Sequence, residues 1–169
     1  MGAFDWFWKA MGSSAERNNK KSKGIVAAAE ELIPELAKLD DAALAAEVRG
    51  TVAAGAIGDK PRFLAGLSVA SQRTLGMTPF TVQNQAVLRL LEGDVIQMAT
   101  GEGKTLVGAM AATGYALTGK RVHLITVNNY LAARDAEWMR PLVEFFGLTV
   151  AAVTESSSRE ERVAGYRCD

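Results

Sequence analysis

The chain has 169 residues, 49% hydrophobic and 22% charged, which suits one globular domain with an apolar core and excludes collagen, coiled-coil and wholly disordered classes. Nineteen Lys and Arg balance nineteen Asp and Glu, so no overall field draws the protein to nucleic acid or to an anionic membrane. The single cysteine, Cys168, forms no internal disulfide and points to a reducing compartment.

Charge is unevenly placed along the chain. Residues 1–24 carry five bases and two acids, whereas residues 25–60 carry three bases and seven acids. The first segment is a basic arm: Phe4, Trp6, Phe7, Trp8 and Met11 lead into the polar stretch SSAERNNKKSKG, read as a linker too poor in apolar surface to order itself. Aromatics before lysines suit an interfacial anchor at an anionic membrane, and equally suit packing on the body of the protein. The start MGAFDW lacks the apolar core of a signal peptide, and Trp6 stands where an N-myristoylation signal wants Ser or Thr, so neither export nor lipid anchoring is expected.

Residues 25–75 read as helical and without catalytic groups. Pro34 belongs in a first helical turn, so IVAAAEELI and PELAKL are read as two helices or one kinked helix. Asp40 or Asp41 caps ALAAEVR, which Gly50 ends; Asp59 and Pro61 start RFLAGLSVASQRTL, which Gly76 ends.

From Gly76 the pattern alternates. The helix TVQNQAVLRLLEG leads to the apolar run VIQMA, a Gly-rich turn and the helix KTLVGAMAATGYAL. RVHLITV, the helix NNYLAARDAEWMRPLVEFF and LTVAAV follow, and SSSREERVAGYR reads as a last capped helix. Read as βαβαβ, this is an α/β fold with a parallel P-loop sheet and right-handed crossovers, incomplete and preceded by a helical segment. The division expected is an arm over 1–24, a helical segment over 25–75 and part of a nucleotide-binding domain over 76–169.

The informative residues are Thr100, Gly101, Glu102, Gly103, Lys104 and Thr105, between strand and helix. Two glycines let successive backbone N–H groups converge on phosphate oxygens at a helix N-terminus, where unpaired amides and the helix dipole favour an anion. Lys104 adds a charge for the β- and γ-phosphates, and the Thr105 hydroxyl suits Mg²⁺. The full pattern GxxxxGK[ST] needs Gly at position 98, where Met98 stands; the short form ATGxGKT is that of helicase-like motors. Upstream lies MTPFTVQ, whose Gln83 has a C=O and an NH₂ to match the edge of adenine.

These residues resemble a known family. GMTPFTVQ, EGDVIQMATGEGKTLVGA, VHLITVNNYLAARDAEWM and EFFGLTVAAV, in this order and spacing, look like SecA, the bacterial preprotein translocase ATPase. The match is strong from Gly76 to Asp169 and looser over ELIPELAKLDDAALAAEV. NQAVLRLLEGDVI, where a Gly-rich stretch is more usual, and the FWKAMG start look more like the accessory SecA of actinobacteria.

The resemblance implies a RecA-like motor, peripheral at the cytoplasmic face of the cell membrane, that couples ATP and Mg²⁺ chemistry to movement of preproteins through the SecYEG channel. It matches Lys104 and Thr105 to the phosphate and Mg²⁺ positions, Gln83 to the adenine-reading Gln, and Arg134 to the Arg of YLAxRDAE near the nucleotide. Asn129 departs from the pattern, which has Asp there. A hydrolysing motor also needs a carboxylate pair at an adjacent strand end and a stabilising arginine. Neither is visible, so the chain reads as the N-terminal fragment of a longer motor, inactive by itself. A homodimer is left open.

Other readings compete with this one. The length permits a complete small P-loop kinase, the ATGxGKT loop is shared with nucleic-acid motors, and the missing acid pair admits a non-catalytic module binding membrane or channel. NNYLAARDAEWM favours the translocation motor, and dispersed bases on the α/β half argue against a nucleic-acid groove. His123 reads as a packed or edge histidine, Cys168 has no partners for a metal site, and Trp138, Met139, Phe145 and Phe146 recur at core spacing.

Overall fold

The computed structural model describes the backbone of residues 14–169 and side chains from Lys20 onward. The aromatic cluster over residues 4–11 and Lys9 lie outside the described residues.

Seven helices and one small hairpin make up the regular structure described. Helix α1 spans Ser14–Leu36, α2 Asp41–Gly50, α3 Lys60–Leu75, α4 Thr81–Leu91, α5 Lys104–Leu117, α6 Asn129–Phe145 and α7 Arg159–Gly165. Strands β1 (Val52–Ala53) and β2 (Ala56–Ile57) pair antiparallel between α2 and α3. Ala54 and Gly55 turn that hairpin with φ of 50° and 75°, the left-handed pair that a two-residue loop requires.

The start and stop signals work as their chemistry demands. Asp40 accepts from the Ala43 N–H at 2.8 Å and Asp59 from that of Arg62 at 3.0 Å, each satisfying a donor that the first turn leaves free. Gly76 closes α3 in the left-handed conformation, and Ser158 and Glu161 cap α7 reciprocally. Pro34 sits inside α1, so there is one helix here, ending at Leu36. That helix also takes in the polar stretch read as an unordered linker: it is helical from Ser14. Ser22, buried on the packed face, shows why, since the stripe that docks α1 extends further back than the apolar residues alone suggest.

Helix α3 is the centre of the core. Phe63 through Ser71 are all buried, because α1, α2 and α6 pack around it. A Cβ on Gly66 would stand 2.3 Å from Val48 Cγ2, so only glycine lets α2 lie this close. Buried polar groups are paired: the Ser68 hydroxyl bonds the Leu64 carbonyl at 2.8 Å and lies 3.2 Å from Asn84 Oδ1, tying α3 to α4. Of the aromatics read as core, Phe146 is buried with Met139, while Trp138 and Phe145 pack against the core half-buried.

The parallel sheet is not seen. Residues 95–99, 121–127 and 148–153 lie outside the helices, yet none belongs to a ladder, and the only described sheet is the hairpin. A parallel strand needs a neighbour that takes up its lateral N–H and C=O groups. These runs do not meet edge to edge: Val95 is fully exposed and Ile125 and Val127 are 91% and 90% exposed. Apolar β-branched composition made them read as strands, but composition alone cannot supply the neighbour.

An ion-pair cluster fixes the exit of α4 against the start of α3. Glu92 binds Lys60 at 2.5 Å and Arg89 at 2.5 Å, and Arg89 also pairs with Asp94. Burial acts to raise the Glu92 carboxyl, but the hydrogen bond and charge of Lys60, with Arg89 and Lys21 adding, outweigh it and hold the group below its ordinary value. A depressed carboxyl stabilises the fold fully above its unfolded value, and that contribution disappears as pH falls through the folded one. The urea midpoint should therefore fall more between about pH 7 and about pH 3 in the wild type than in Glu92→Gln; equal pH dependence would show that the cluster contributes nothing.

Candidate nucleotide-binding site

The Gly-rich turn lies between the run 95–99 and α5, whose first residue is Lys104. Gly101 and Gly103 have φ of 87° and 79°, a backbone region closed to most side chains. Gly103 is the residue before the helix and supplies no side-chain cap. The first-turn N–H groups of α5 thus keep the unpaired, positive end of the helix for an anion.

Gln83 holds this turn from the side. It is buried near the start of α4, where its Oε1 accepts from the Phe80 N–H at 2.8 Å and its Nε2 donates to the Glu102 carbonyl at 2.9 Å. One amide thereby caps α4 and pins the loop. A Cβ on Gly103 would lie 2.3 Å from Gln83 Nε2, so the second glycine of the motif makes room for the glutamine as well as for backbone curvature. The bond to Glu102 joins residues nineteen positions apart, a tie that the motif spacing permits but does not reveal.

The remaining residues sort by what they touch. Lys104 is exposed and its Nζ donates to the Ala99 carbonyl at 2.6 Å, folded back over its own loop. Thr100, Glu102 and Thr105 are exposed on the same turn. Arg134 stands elsewhere: its guanidinium bonds Asp135 at 2.6 and 2.9 Å and lies over the Tyr130 ring at 6.0 Å, and none of its partners belongs to the turn. Asn128 caps α6 through the Leu131 N–H at 2.9 Å, and Asn129 Oδ1 faces the Glu155 N–H at 3.4 Å. An uncharged amide at position 129 therefore serves as a weak link between α6 and the 148–155 segment. His123 packs on the Tyr166 ring at 5.4 Å.

Phe80, which the sequence reading gave no role of its own, is 71% exposed immediately before α4, with Met77 and Val82 also exposed.

Nucleotide and Mg²⁺ are tested here by the donor set. Free first-turn amides, a flexible cation and an alcohol at the second helical position fit a polyphosphate, and the two glycines leave the cradle open to it. Mg²⁺ prefers six oxygen ligands and keeps several waters, so Thr105 would hold it together with phosphate oxygens. Among the described residues no cluster of three or more His, Cys, Asp or Glu is placed to hold a metal by itself.

A Gly-rich turn at a helix N-terminus, held by a glutamine from the preceding helix, fits a motor domain of the helicase-like class. Comparison with known families makes this specific: residues 7–169 match the SecA DEAD-like domain, and the chain belongs to that family. It is 62% identical over its whole length to the protein translocase subunit SecA 2 of Corynebacterium efficiens, covering 22% of that protein. It is 50% identical, over 96% of its length, to the protein translocase subunit SecA of Mycobacterium avium, covering 21% of it. The chain thus spans about a fifth of the length of the curated relatives it matches, as expected for the N-terminal part of an accessory SecA.

The lock has a measurable signature. At Gly101 a Cβ meets nothing within 4 Å, so Gly101→Ala carries only the left-handed backbone cost, about 1–2 kcal/mol. Gly103→Ala carries the same cost plus the clash with Gln83. Urea unfolding should show Gly103→Ala to be the more destabilised, with the excess removed in the Gln83→Ala background. Equal losses at both glycines would show that Gln83 does not press on the turn.

Proposed function

We propose that residues 76–169 form the first part of an ATP-binding motor domain in a preprotein translocase, with 25–75 as its helical support and 1–24 as an N-terminal arm. In this reading the whole motor moves preproteins through the SecYEG channel from the cytoplasmic face of the membrane. The arm contributes affinity for anionic lipid there. Among the described residues no helix is long and apolar enough to cross a membrane. Family membership favours the motor over a free-standing small kinase.

The observation that carries the proposal is the Gln83 bridge to a turn whose helix amides remain free. Phosphates would enter at the first turn of α5, drawing Lys104 Nζ off the Ala99 carbonyl and onto phosphate oxygens. Each atom of the Gln83 amide keeps capacity beyond its present bonds, one N–H on Nε2 and one lone pair on Oε1. That donor and acceptor match the adenine edge, and the exposed Phe80 ring offers a face for stacking. The bound nucleotide supplies the phosphoryl group; the residues described here bind and orient it, and Lys104 spreads its charge. Arg134 would join them only if α6 turned it away from Asp135.

Two measurements test this. Equilibrium titration of ATP should show binding that is lost or severely weakened in Lys104→Ala; equal affinities would remove the site. Phosphate release by the chain alone should be close to background and unaffected by Lys104→Ala. Among the described residues neither a carboxylate pair nor an arginine faces the turn, and a missing arginine by itself costs about 10³–10⁵ in phosphoryl transfer. Rapid turnover dependent on Lys104 would instead support a self-sufficient ATPase.

A further inference from the structure

A serine at the centre of a core helix costs free energy unless its hydroxyl is hydrogen-bonded. Helix α3 carries two, Ser68 and Ser71, 2% and 0% exposed, three residues apart and so on one face of the helix. The Ser71 hydroxyl donates to the Met77 carbonyl at 2.8 Å. Ser68 shares its hydroxyl between the Leu64 carbonyl of its own helix at 2.8 Å and Asn84 Oδ1 at 3.2 Å. The two bonds that leave α3 therefore land on either side of Phe80 and Gln83, one at Met77 ahead of α4 and one at Asn84 in its first turn. Thr81 is tied as well, through its hydroxyl to Glu30 Oε1 at 2.6 Å, but that bond is exposed and water competes for both of its groups. The serines are shut off from water, so theirs are the ties that hold.

Between these ties lies the Gln83 amide, committed at both ends to Phe80 and to Glu102. Little movement is open to it. Tilting α4 away from the Gly-rich turn breaks the bond to the Glu102 carbonyl, and tilting it inward drives Nε2 toward Gly103, where even one added carbon would stand 2.3 Å away. Nor can the amide turn over, because that would set its NH₂ against the Phe80 N–H and its oxygen against the Glu102 carbonyl.

We infer, resting on the nucleotide reading, that Ser68 and Ser71 are positioning residues: acting through Asn84 and Met77, they fix the orientation in which the Gln83 amide meets a base and so set the preference for adenine over guanine. An amide held in one orientation offers its acceptor and its donor in fixed order. That order pairs with N6 and N7 of adenine, whereas guanine places an acceptor, O6, where adenine has its donor. An amide free to rotate loses the discrimination, since it can turn its NH₂ to O6. Both serines are buried beneath the segment they hold, so neither would touch the nucleotide.

Titration of ATP and of GTP against the chain, Ser68→Ala, Ser71→Ala and the double variant tests it, beside proton exchange of the Gln83 side-chain NH₂ followed by NMR. Alanine keeps α3 a good helix, and protected α6 amides report that each variant is folded; the single variants decide if the double one does not fold. In the double variant ATP affinity should fall about tenfold and GTP affinity less. The Gln83 NH₂ should exchange at least about fivefold faster there. Thr113→Val is the control: it deletes an equally buried hydroxyl whose bond among the described residues is to the Ala109 carbonyl of its own helix, and it should leave the ATP-to-GTP ratio and the Gln83 exchange unchanged. A ratio unmoved by loss of both serines overturns the inference, as does a ratio that Thr113→Val shifts as much. If the unaltered chain binds neither nucleotide, the nucleotide reading fails and the selection falls with it, while the exchange still decides whether the serines hold the amide.

Discussion

Burial of α3 is the constraint on which the rest of the molecule depends. A helix enclosed from Phe63 to Ser71 must be surrounded by other helices, and the glycine at 66 fixes how near α2 comes. Once α1, α2 and α6 are packed around that core, Asn84 is drawn to Ser68, and α4 is held with its first turn beside the Gly-rich loop. Ion pairs then fix the periphery. Arg62 bonds both Glu47 and Glu35, joining α3 to α2 and α1, and the hydrogen bonds to those two carboxylates raise its guanidinium above the ordinary value. Arg73 reaches Asp41 at 2.8 Å and the carbonyls of Ala37 and Leu39, closing the turn between α1 and α2.

Positioning of the Gly-rich turn follows from that packing. Short loops at helix N-termini bind anions because their amides are unpaired, but an unpaired loop is also free to drift. Gln83 resolves the conflict with a side chain bonded to the loop at its carbonyl, a group that a phosphate does not need. The amides stay available while the backbone is restrained. Lys104 is restrained similarly, by the Ala99 carbonyl of the preceding run.

The second half of the chain is organised differently. Its helices α5 and α6 lie on the core through Met110, Met139 and Leu142, whereas the runs beside them meet no partner for most of their backbone groups. Helices satisfy their own N–H and C=O groups and need only an apolar face to dock. Strands depend on neighbours that can be far away in sequence.

Sequence by itself determined the helices, their caps, the Gly-rich turn and the family, because each rests on residues adjacent in the chain. Asp40, Asp59, Gly76 and Ser158 act within one turn of where they stand, and the ATGxGKT loop needs only its own glycines and the helix that follows. Tertiary structure decided what depends on distant residues. It decided that Gln83 holds Glu102, that Arg134 is paired with Asp135 away from the turn, that α1 reaches back to Ser14, and that the runs at 95–99, 121–127 and 148–153 join no described sheet. Local signals fix which conformation a segment favours; hydrogen bonds between segments exist only where packing brings both partners to the same place.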